Sequence, residues 1–280
     1  MNLYRIINLE TFLDIIVNKR ERYVRPSTWE DTFEGYLFSK LKNPAEKKRI
    51  VEHWYYEVCL KKCQNVIINM MHLDSSKYVY GQCWSELSES DALWRIYSYG
   101  KHSIQIQTSE EDLEKLLTER NIKGTIRKIE YDITSEKDLL EKQLSQSAQE
   151  GYAYTSFLHK RKAFEHEKEH RVLISDTKYR DITKFKTYSV RENFVQDIKG
   201  KEKELDDDSI VDLIIKNIDE FKAQDEVPDN FYIENINLEQ YIRKITINPL
   251  AEEWYVKLIQ DVCSAYKLPL CEKSNLYKGI

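Results

Sequence analysis

The residues with the clearest chemical potential are His166, Glu167 and His170, which form a His-Glu-x-x-His string. In zinc peptidases, two histidines at this spacing bind the metal from one face of a helix, and the glutamate activates a water molecule. Such a helix is buried, but the two middle positions here are Lys168 and Glu169, which resist burial. The string is followed by Arg-Val-Leu-Ile, a strand-like run, and by no HxxGxxH extension. The local pattern therefore argues against a zinc peptidase, which stays an alternative.

An extended backbone over the same segment predicts a different site. Period-two alternation places four charged side chains on one face: Glu165, Glu167, Glu169 and Arg171. Neighbouring like charges destabilise a strand unless a cation or a ligand balances them. Glu167 and Glu169 with Arg171 therefore form a candidate site. An exposed edge strand whose charges oppose aggregation is the alternative.

The composition limits the classes of protein that can carry such a site. With 41% hydrophobic residues, the 280-residue chain can bury a sizeable core and is not intrinsically disordered. It has only 7 glycines and 5 prolines, which argues against glycine-rich nucleotide loops and low-complexity structure. A net charge of −5 gives no overall attraction to nucleic acid or to anionic lipid. The composition predicts a compact soluble protein.

Segments for targeting or membrane insertion are not evident. No run approaches the roughly 18 apolar residues that span a bilayer, and the amino-terminal stretch contains acids and no small-residue cleavage site. We therefore expect a cytoplasmic protein without membrane contact. Five cysteines, an odd number, predict reduced thiols. Cys59 and Cys63, four residues apart, are expected to pack as small apolar side chains, with metal binding as the alternative.

Strands and helices alternate irregularly along the chain, without the βαβ rhythm of a doubly wound sheet. Strand-like patterns occur at residues 3–7, 22–25, 78–84, 104–106, 124–132, 171–174, 242–247 and near 270. Helix-like patterns occur at residues 9–18, 44–63, 91–97, after 109, at 135–149 and at 251–266. The order predicts an α+β fold with a mixed or mostly antiparallel sheet and flanking helices.

We expect residues 1–280 to form a single domain, with a charged, partly helical surface insertion at about 199–226. Within the insertion, Asp206, Asp207 and Asp208 precede an amphipathic stretch. The acidic triplet predicts a helix start that complements the helix dipole, with a metal site as the alternative.

Several short motifs occur in order along the chain. They are Leu3-Tyr4-Arg5; Arg25-Pro26-Ser27 with residues 29–34; Cys83-Trp84-Ser85; Leu93-Trp94 with Tyr97; Lys162, Phe164, Glu167, Glu169 and Arg171; and residues 245–249 with Ser274 and Leu276. In this order the chain resembles, nearly end to end, an uncharacterised bacterial and phage-associated family, the domain of unknown function number twenty-nine seventy-one. The family's Asn-Asp-Pro-Phe-Glu type turn reads Glu-Asp-Thr-Phe-Glu here, so the usual Asn and Pro are absent.

The resemblance implies a relation to the ADP-ribosyltransferase fold, in which a first-strand Arg or His, a central Ser or Tyr and a late-strand Glu surround NAD. Glu167 and Glu169 would be the catalytic carboxylates, which stabilise an oxocarbenium-like state as nicotinamide leaves. The residues that would bind NAD are Arg5, Arg25, Trp94, Tyr97 and Arg171. Arg5 would hold the pyrophosphate, Tyr97 or Trp94 would stack on nicotinamide, and no metal is expected.

Each of these residues also has an ordinary structural interpretation. Arg5 would then pair with a surface acid, and Trp94 and Tyr97, at helical spacing, would belong to the core. Arg171 would be the internal counter-ion of the two glutamates.

The expected function is therefore an NAD-consuming ADP-ribosyltransferase or NAD glycohydrolase-like effector, a toxin in bacterial conflict or phage defence. Its partners would be NAD and a macromolecular target, either protein or nucleic acid. One alternative is a metal-dependent hydrolase, either the zinc peptidase or a nuclease that uses Glu167 and Asp31 with magnesium. The other is a non-enzymatic binding module whose 19 tyrosines form a partner surface.

Overall fold

The computed structural model of the protein describes residues 1–278 apart from 30, 32, 34–39, 76–77, 99, 136–137, 139–153, 155–156, 176, 200, 202–203 and 221–226. Its strands are β1 (Asn2–Asn8), β2 (Arg20–Val24), β3 (Val79–Ser85), β4 (Ser103–Ser109), β5 (Gly124–Lys128), β6 (Glu130–Ile133), β7 (His159–Arg161), β8 (Glu169–Ser175), β9 (Asn230–Glu234), β10 (Lys244–Ile247) and β11 (Cys271–Lys273).

Some of the helices flank this sheet, and others pack with one another in a separate group. They are α1 (Leu9–Asn18), α2 (Pro44–His53), α3 (Cys63–Ser75), α4 (Asp91–Tyr97), α5 (Glu110–Glu119), α6 (Thr177–Ile198), α7 (Asp207–Glu220), α8 (Leu238–Tyr241) and α9 (Glu253–Ala265). Short 3-10 turns occur at Pro26–Thr28 and Lys162–Glu167, and a π-helical turn occurs at Trp54–Val58. No helix within the described ranges combines the length and the apolar character needed to cross a membrane.

Strand β3 is the branch point of the main sheet. It pairs along its whole length with β8, and its other edge meets two strands, with Tyr4 of β1 opposite Ser85 and Val24 of β2 opposite Gly81. Strand β1 continues into β4, β10 and β11, whereas β2 continues into β9. The sheet therefore divides at β3, and we call the gap between β1 and β2 the fork.

The strand directions confirm the predicted α+β architecture with a mostly antiparallel mixed sheet. Among the described strands of the main sheet, β10 and β11 form a parallel pair, and the other paired strands are antiparallel. A small second sheet pairs β6 and β7 in parallel.

The two faces of the main sheet differ in chemistry because side chains alternate along each strand. One face is apolar and packs against α1, α5 and α9 in the main core; its members include Leu3, Ile7, Tyr23, Tyr80, Ile104, Ile106, Val172 and Ile174. The opposite face carries polar and small side chains at the intervening positions, among them Tyr4, Arg22, Cys83, Gln105 and Glu169. The polar face is therefore the side of the sheet on which a site can form.

Helices α2, α3, α6 and α7 share a second hydrophobic cluster. Its buried members include Ile50, Val51, Trp54, Cys59, Val66, Ile67, Met70, Val190, Phe194, Val211, Ile214 and Ile218. The apolar face of α7, predicted to belong to a surface insertion, therefore lies in this helical core. Asp206 begins that helix by accepting a hydrogen bond from the Ser209 amide (2.8 Å), the expected role for an acidic residue there.

Several sequence predictions of elements are confirmed, and others are wrong in extent. Helix α1 has the predicted bounds, and the helices predicted at 91–97 and after 109 are α4 and α5, whose N-terminal caps are Ser90 and Ser109. The helix predicted over residues 44–63 is interrupted by the π-helical turn, and the strand predicted over 124–132 divides at Ile129 into β5 and β6. The polar helix predicted at 135–149 lies almost wholly outside the described residues. All five cysteines are free thiols, as expected.

Gly81 provides a test of how tightly the centre of the sheet is packed. A Cβ atom at this position would lie 2.7 Å from Trp29 Cζ2 and 3.0 Å from Leu173 Cδ2. We expect Gly81→Ala to lower the free energy of unfolding by about 1–3 kcal/mol because side chains on both sides must shift. Urea unfolding measures this change, with Ser27→Ala, at an exposed position, as the control. An unfolding midpoint equal to that of the control would contradict this packing.

Candidate active site

A cavity of about 600 Å³ opens on the polar face of the sheet, beside the fork. Its walls come from β1, β2, β3, α4, the Lys162–Glu167 turn and the starts of β7 and β8. Four of the predicted site residues line it: Arg5, Tyr97, Glu167 and Glu169. The fold therefore brings together side chains that are as much as 164 residues apart in the sequence.

Glu167 reaches the cavity through a turn and not through an extended strand. Residues Lys162–Glu167 form a 3-10 turn, Lys168 adopts a left-handed conformation (φ 44°), and β8 begins at Glu169. The prediction of period-two alternation across 165–171 is therefore wrong before Glu169. Glu165 is exposed and lies 3.5 Å from Lys168 Nζ, outside the cavity lining. The left-handed residue reverses the chain so that Glu167 and Glu169 still lie side by side.

The two histidines of the zinc-like string lie in different environments. His166 is exposed, and its Nδ1 contacts the Ala163 carbonyl oxygen at 3.1 Å. His170 is buried in β8, with Nε2 3.6 Å from Glu86 Oε1. Because residues 166 and 170 do not share a helix, the geometry of a zinc-peptidase string is not formed. Within the described ranges, the group able to offer three metal ligands is a different one: Glu130, Asp132 and His159.

The carboxylates of the cavity belong to a buried network of alternating charge. Arg171 donates to Glu169 Oε1 through Nε (2.6 Å) and to Oε2 through Nη2 (3.2 Å). Lys160 Nζ bridges the two acids, at 2.7 Å from Glu167 Oε2 and 3.2 Å from Glu169 Oε2. Tyr97 donates its hydroxyl to Glu167 Oε1 at 3.0 Å. Two carboxylates and two cations thus neutralise one another with little solvent contact.

The network fixes the protonation of Glu169 and Tyr97. Burial alone raises the pKa of Glu169, but the neighbouring Arg171 and Lys160 lower it to about 2. Burial and the charge of Glu167 raise the pKa of Tyr97 far above its ordinary value. Glu169 therefore remains a carboxylate and Tyr97 remains a hydrogen-bond donor at neutral pH.

Arg171 lies outside the cavity lining and holds Glu169 in position. Its side chain is 0% exposed, it donates to the Phe157 carbonyl oxygen at 2.7 Å, and it lies 4.6 Å from the ring of Trp29. Backbone contacts also hold the acids, because Ser85 Oγ donates to the Glu167 carbonyl oxygen at 2.7 Å. Arg171 does not line the cavity, so its geometry agrees with the internal counter-ion alternative.

Arg5 has an unexpected position. Alternation along β1 places it on the same face as Leu3, and its side chain, 11% exposed, donates to Glu21 Oε1 at 2.8 Å. Gln82 Nε2 donates to the same oxygen at 2.9 Å, and Trp84 Nε1 donates to Gln82 Oε1 at 2.7 Å. This polar cluster occupies the fork, and Arg5 and Trp84 reach the cavity there.

Two predicted binding residues lie away from the cavity lining. Arg25 forms an ion pair with Asp229 at the end of β2. Trp94 is buried at 3% exposure on the inner face of α4, in keeping with the core alternative for helical spacing. Their proposed contacts with NAD stay predictions.

Sequence reasoning missed Lys160, which contacts both glutamates. A single lysine within the basic run at residues 160–162 gives no signal of burial. The available signal was indirect: two glutamates on one buried surface require more positive charge than Arg171 alone supplies. Asp31, suggested only for a nuclease, does line the cavity, and Arg161 Nη2 holds it at 3.3 Å.

The network predicts a specific acid dependence of stability. Because the folded-state pKa of Glu169 is lowered from 4.5 to about 2, its ionised form stabilises the protein above pH 4.5. This contribution, about 3 kcal/mol, is lost as the pH falls from 4.5 to 2. We expect Glu169→Gln to abolish this pH dependence and to cost about 3–5 kcal/mol at pH 7, since Arg171 keeps an unbalanced buried charge.

Urea unfolding at pH 7 and pH 3 measures both effects. Glu165→Gln is the matched control, because it removes an exposed acid from the adjoining turn and should change stability by less than about 1 kcal/mol. Equal losses in the two variants would contradict the buried network.

Comparison with known families identifies one matching segment. A family model described as protein of unknown function (DUF2971) matches residues 93–172. The match confirms the family resemblance for this part of the chain, which contains Tyr97, Glu167, Glu169 and Arg171, whereas Arg5 lies outside it. No curated protein and no solved structure matches the chain. Residues 93–172, which include Glu167 and Glu169, thus have the sequence features of the DUF2971 family.

Proposed function

We propose that the protein consumes NAD, as an ADP-ribosyltransferase or an NAD glycohydrolase, with a sheet related to the ADP-ribosyltransferase fold. The observation that supports the proposal is the convergence of Arg5, Tyr97, Glu167 and Glu169 on one cavity. These residues come from four elements, and the family resemblance implies a role in NAD binding or cleavage for each of them. A volume of about 600 Å³ also lies within the usual range for small-molecule sites.

The carboxylates supply the chemistry that cleavage of NAD requires. As the bond between ribose C1′ and the nicotinamide nitrogen breaks, its electron pair leaves with nicotinamide and positive charge develops on the ribose. A carboxylate fixed beside this centre stabilises the charge more than it stabilises bound NAD. Glu167 fits this role, since it lines the cavity and its position is fixed by Tyr97 and Lys160.

Glu169 and Tyr97 support that step in different ways. Glu169 stays ionised because of Arg171, so it holds Lys160 in place beside Glu167. The partly exposed ring of Tyr97 lines the cavity, where it offers a surface for the nicotinamide ring while its hydroxyl orients Glu167.

The acceptor distinguishes the two activities within this proposal. Water as acceptor gives NAD hydrolysis, whereas a nucleophilic group on a protein or nucleic acid gives ADP-ribosylation. Either reaction suits a toxic effector of bacterial conflict or phage defence that acts in the cytoplasm. None of the proposed steps uses a metal ion.

A pair of variants in one turn tests the proposal. We expect Glu167→Gln to lower kcat for nicotinamide release from NAD by at least about 100-fold, because it removes the charge that stabilises the transition state. Glu165→Gln, two residues earlier and exposed, should retain the wild-type rate. Chromatography of nicotinamide measures the reaction, with and without candidate macromolecules, and circular dichroism confirms folding of each variant.

Two results would refute the proposal. One is the absence of both nicotinamide release and macromolecular modification with folded wild-type protein. The other is equal activity of the wild-type protein and Glu167→Gln. A chelator-sensitive hydrolysis of nucleic acid would favour the magnesium nuclease alternative instead.

A further inference from the structure

One charged side chain of the cavity lining forms no direct ion pair within the described part of the chain. Six charged residues line it: Arg5, Arg22, Asp31, Lys160, Glu167 and Glu169. Lys160 and Arg171 together balance the two glutamates, Glu21 pairs with Arg5, and Arg161 pairs with Asp31. Arg22 is exposed and forms no direct ion pair with any residue that the structure describes, although its charge helps to lower the pKa of Asp14, the acid that binds Arg20. Its guanidinium is therefore available to an anion from outside the protein.

Strand alternation explains why Arg22 faces the cavity. Glu21 and Tyr23 are buried on the core face of β2, so Arg22 and Val24 project from the opposite face, and both line the cavity. Arg20 projects from this face as well. It is held by Asp14 (2.8 Å) and lies 4.4 Å from the ring of Tyr232, outside the cavity lining. Strand β2 thus carries Arg20, which is paired with an acid, and Arg22, which has no direct ion pair among the described residues.

We propose that Arg22 binds a phosphate group of the substrate and thereby selects a phosphorylated nucleotide over its nucleoside. A guanidinium donates two parallel N–H groups, which match phosphate oxygens. This inference rests on the proposed function and deepens it, because it assigns the phosphate contact to Arg22. Arg5, expected to hold the pyrophosphate, is already engaged by Glu21.

The positions of the strands give the phosphate and the reacting bond separate places in the cavity. Strands β2 and β8 lie on opposite edges of β3. Two strand spacings separate them, or about 10 Å. Arg22 is therefore well separated from Glu169 at the start of β8. A nucleotide can span this distance, with its phosphates toward β2 and its glycosidic bond toward the carboxylates.

Calorimetric titration with ADP and with adenosine tests this inference. We expect Arg22→Ala to weaken ADP binding at least about tenfold, the loss of one charge-assisted contact, and to leave adenosine binding within about twofold of wild type. Arg22→Lys should recover part of the ADP affinity, and ADP binding should weaken as salt rises. Arg20→Ala is the matched control on the same strand and should change ADP binding by less than about twofold.

Turnover gives an independent measurement. The ratio of kcat/KM for NAD to that for nicotinamide riboside, which has the same glycosidic bond and no pyrophosphate, should fall at least about tenfold in Arg22→Ala. The change should lie mainly in the KM for NAD.

The outcomes separate this inference from the proposed function. Equal ADP affinity in wild type and Arg22→Ala would overturn it, as would equal losses of ADP and adenosine binding or failure of the wild-type protein to bind ADP. If wild-type protein binds ADP through Arg22 but does not release nicotinamide from NAD, the proposed function fails and the phosphate site stands.

Discussion

The guanidinium of Arg171 has no contact with solvent, so its charge must be balanced inside the protein. Glu169 provides that balance through two hydrogen bonds from the same side chain. Glu169 also accepts a hydrogen bond from Lys160, and Lys160 in turn donates to Glu167 and fixes its position. Along the series Arg171, Glu169, Lys160 and Glu167, each buried charge is thus balanced by the next residue. The arrangement of the cavity carboxylates therefore follows from one buried ion pair, and Trp29 covers it on the side of the small cluster around Leu173.

The fork gives this network access to ligands. If no gap separated β1 from β2 along the edge of β3, Arg5 and Trp84 would lie wholly within the main core. Because the strands diverge, backbone and side-chain groups at the gap need other partners, and the Arg5–Glu21 pair with Gln82 supplies them. The gap thus has its own polar cluster, separate from the carboxylates. Both clusters are charge-balanced: Arg5 pairs with Glu21 at the gap, and Lys160 and Arg171 pair with the two glutamates.

Local signals in the sequence predicted the elements better than the site. Ser109 before three acids is a capping pattern that depends on nearby residues alone, and α5 begins there. Ile104 and Ile106 alternate with glutamines along β4; the two isoleucines lie in the main core, whereas Gln105 lines the cavity. The turn that presents Glu167 was not predictable in this way, because it depends on Lys168 adopting a left-handed conformation within a charged run. Such a conformation is imposed by tertiary contacts, including the bridge between the acids.

Local sequence signals also cannot predict the roles of the charged residues, because these roles depend on partners far away in the sequence. Arg5 and Arg22 have equal chemistry, and only the position of Glu21 on the core face decides which one is engaged. Lys160 and Arg171 also divide their roles by structure. Arg171 is rigidly bonded, whereas lysine is a compact charge on a flexible stem. Lys160 bridges the two acids and so holds Glu167 in the cavity lining, while Arg171 keeps Glu169 in place from outside that lining.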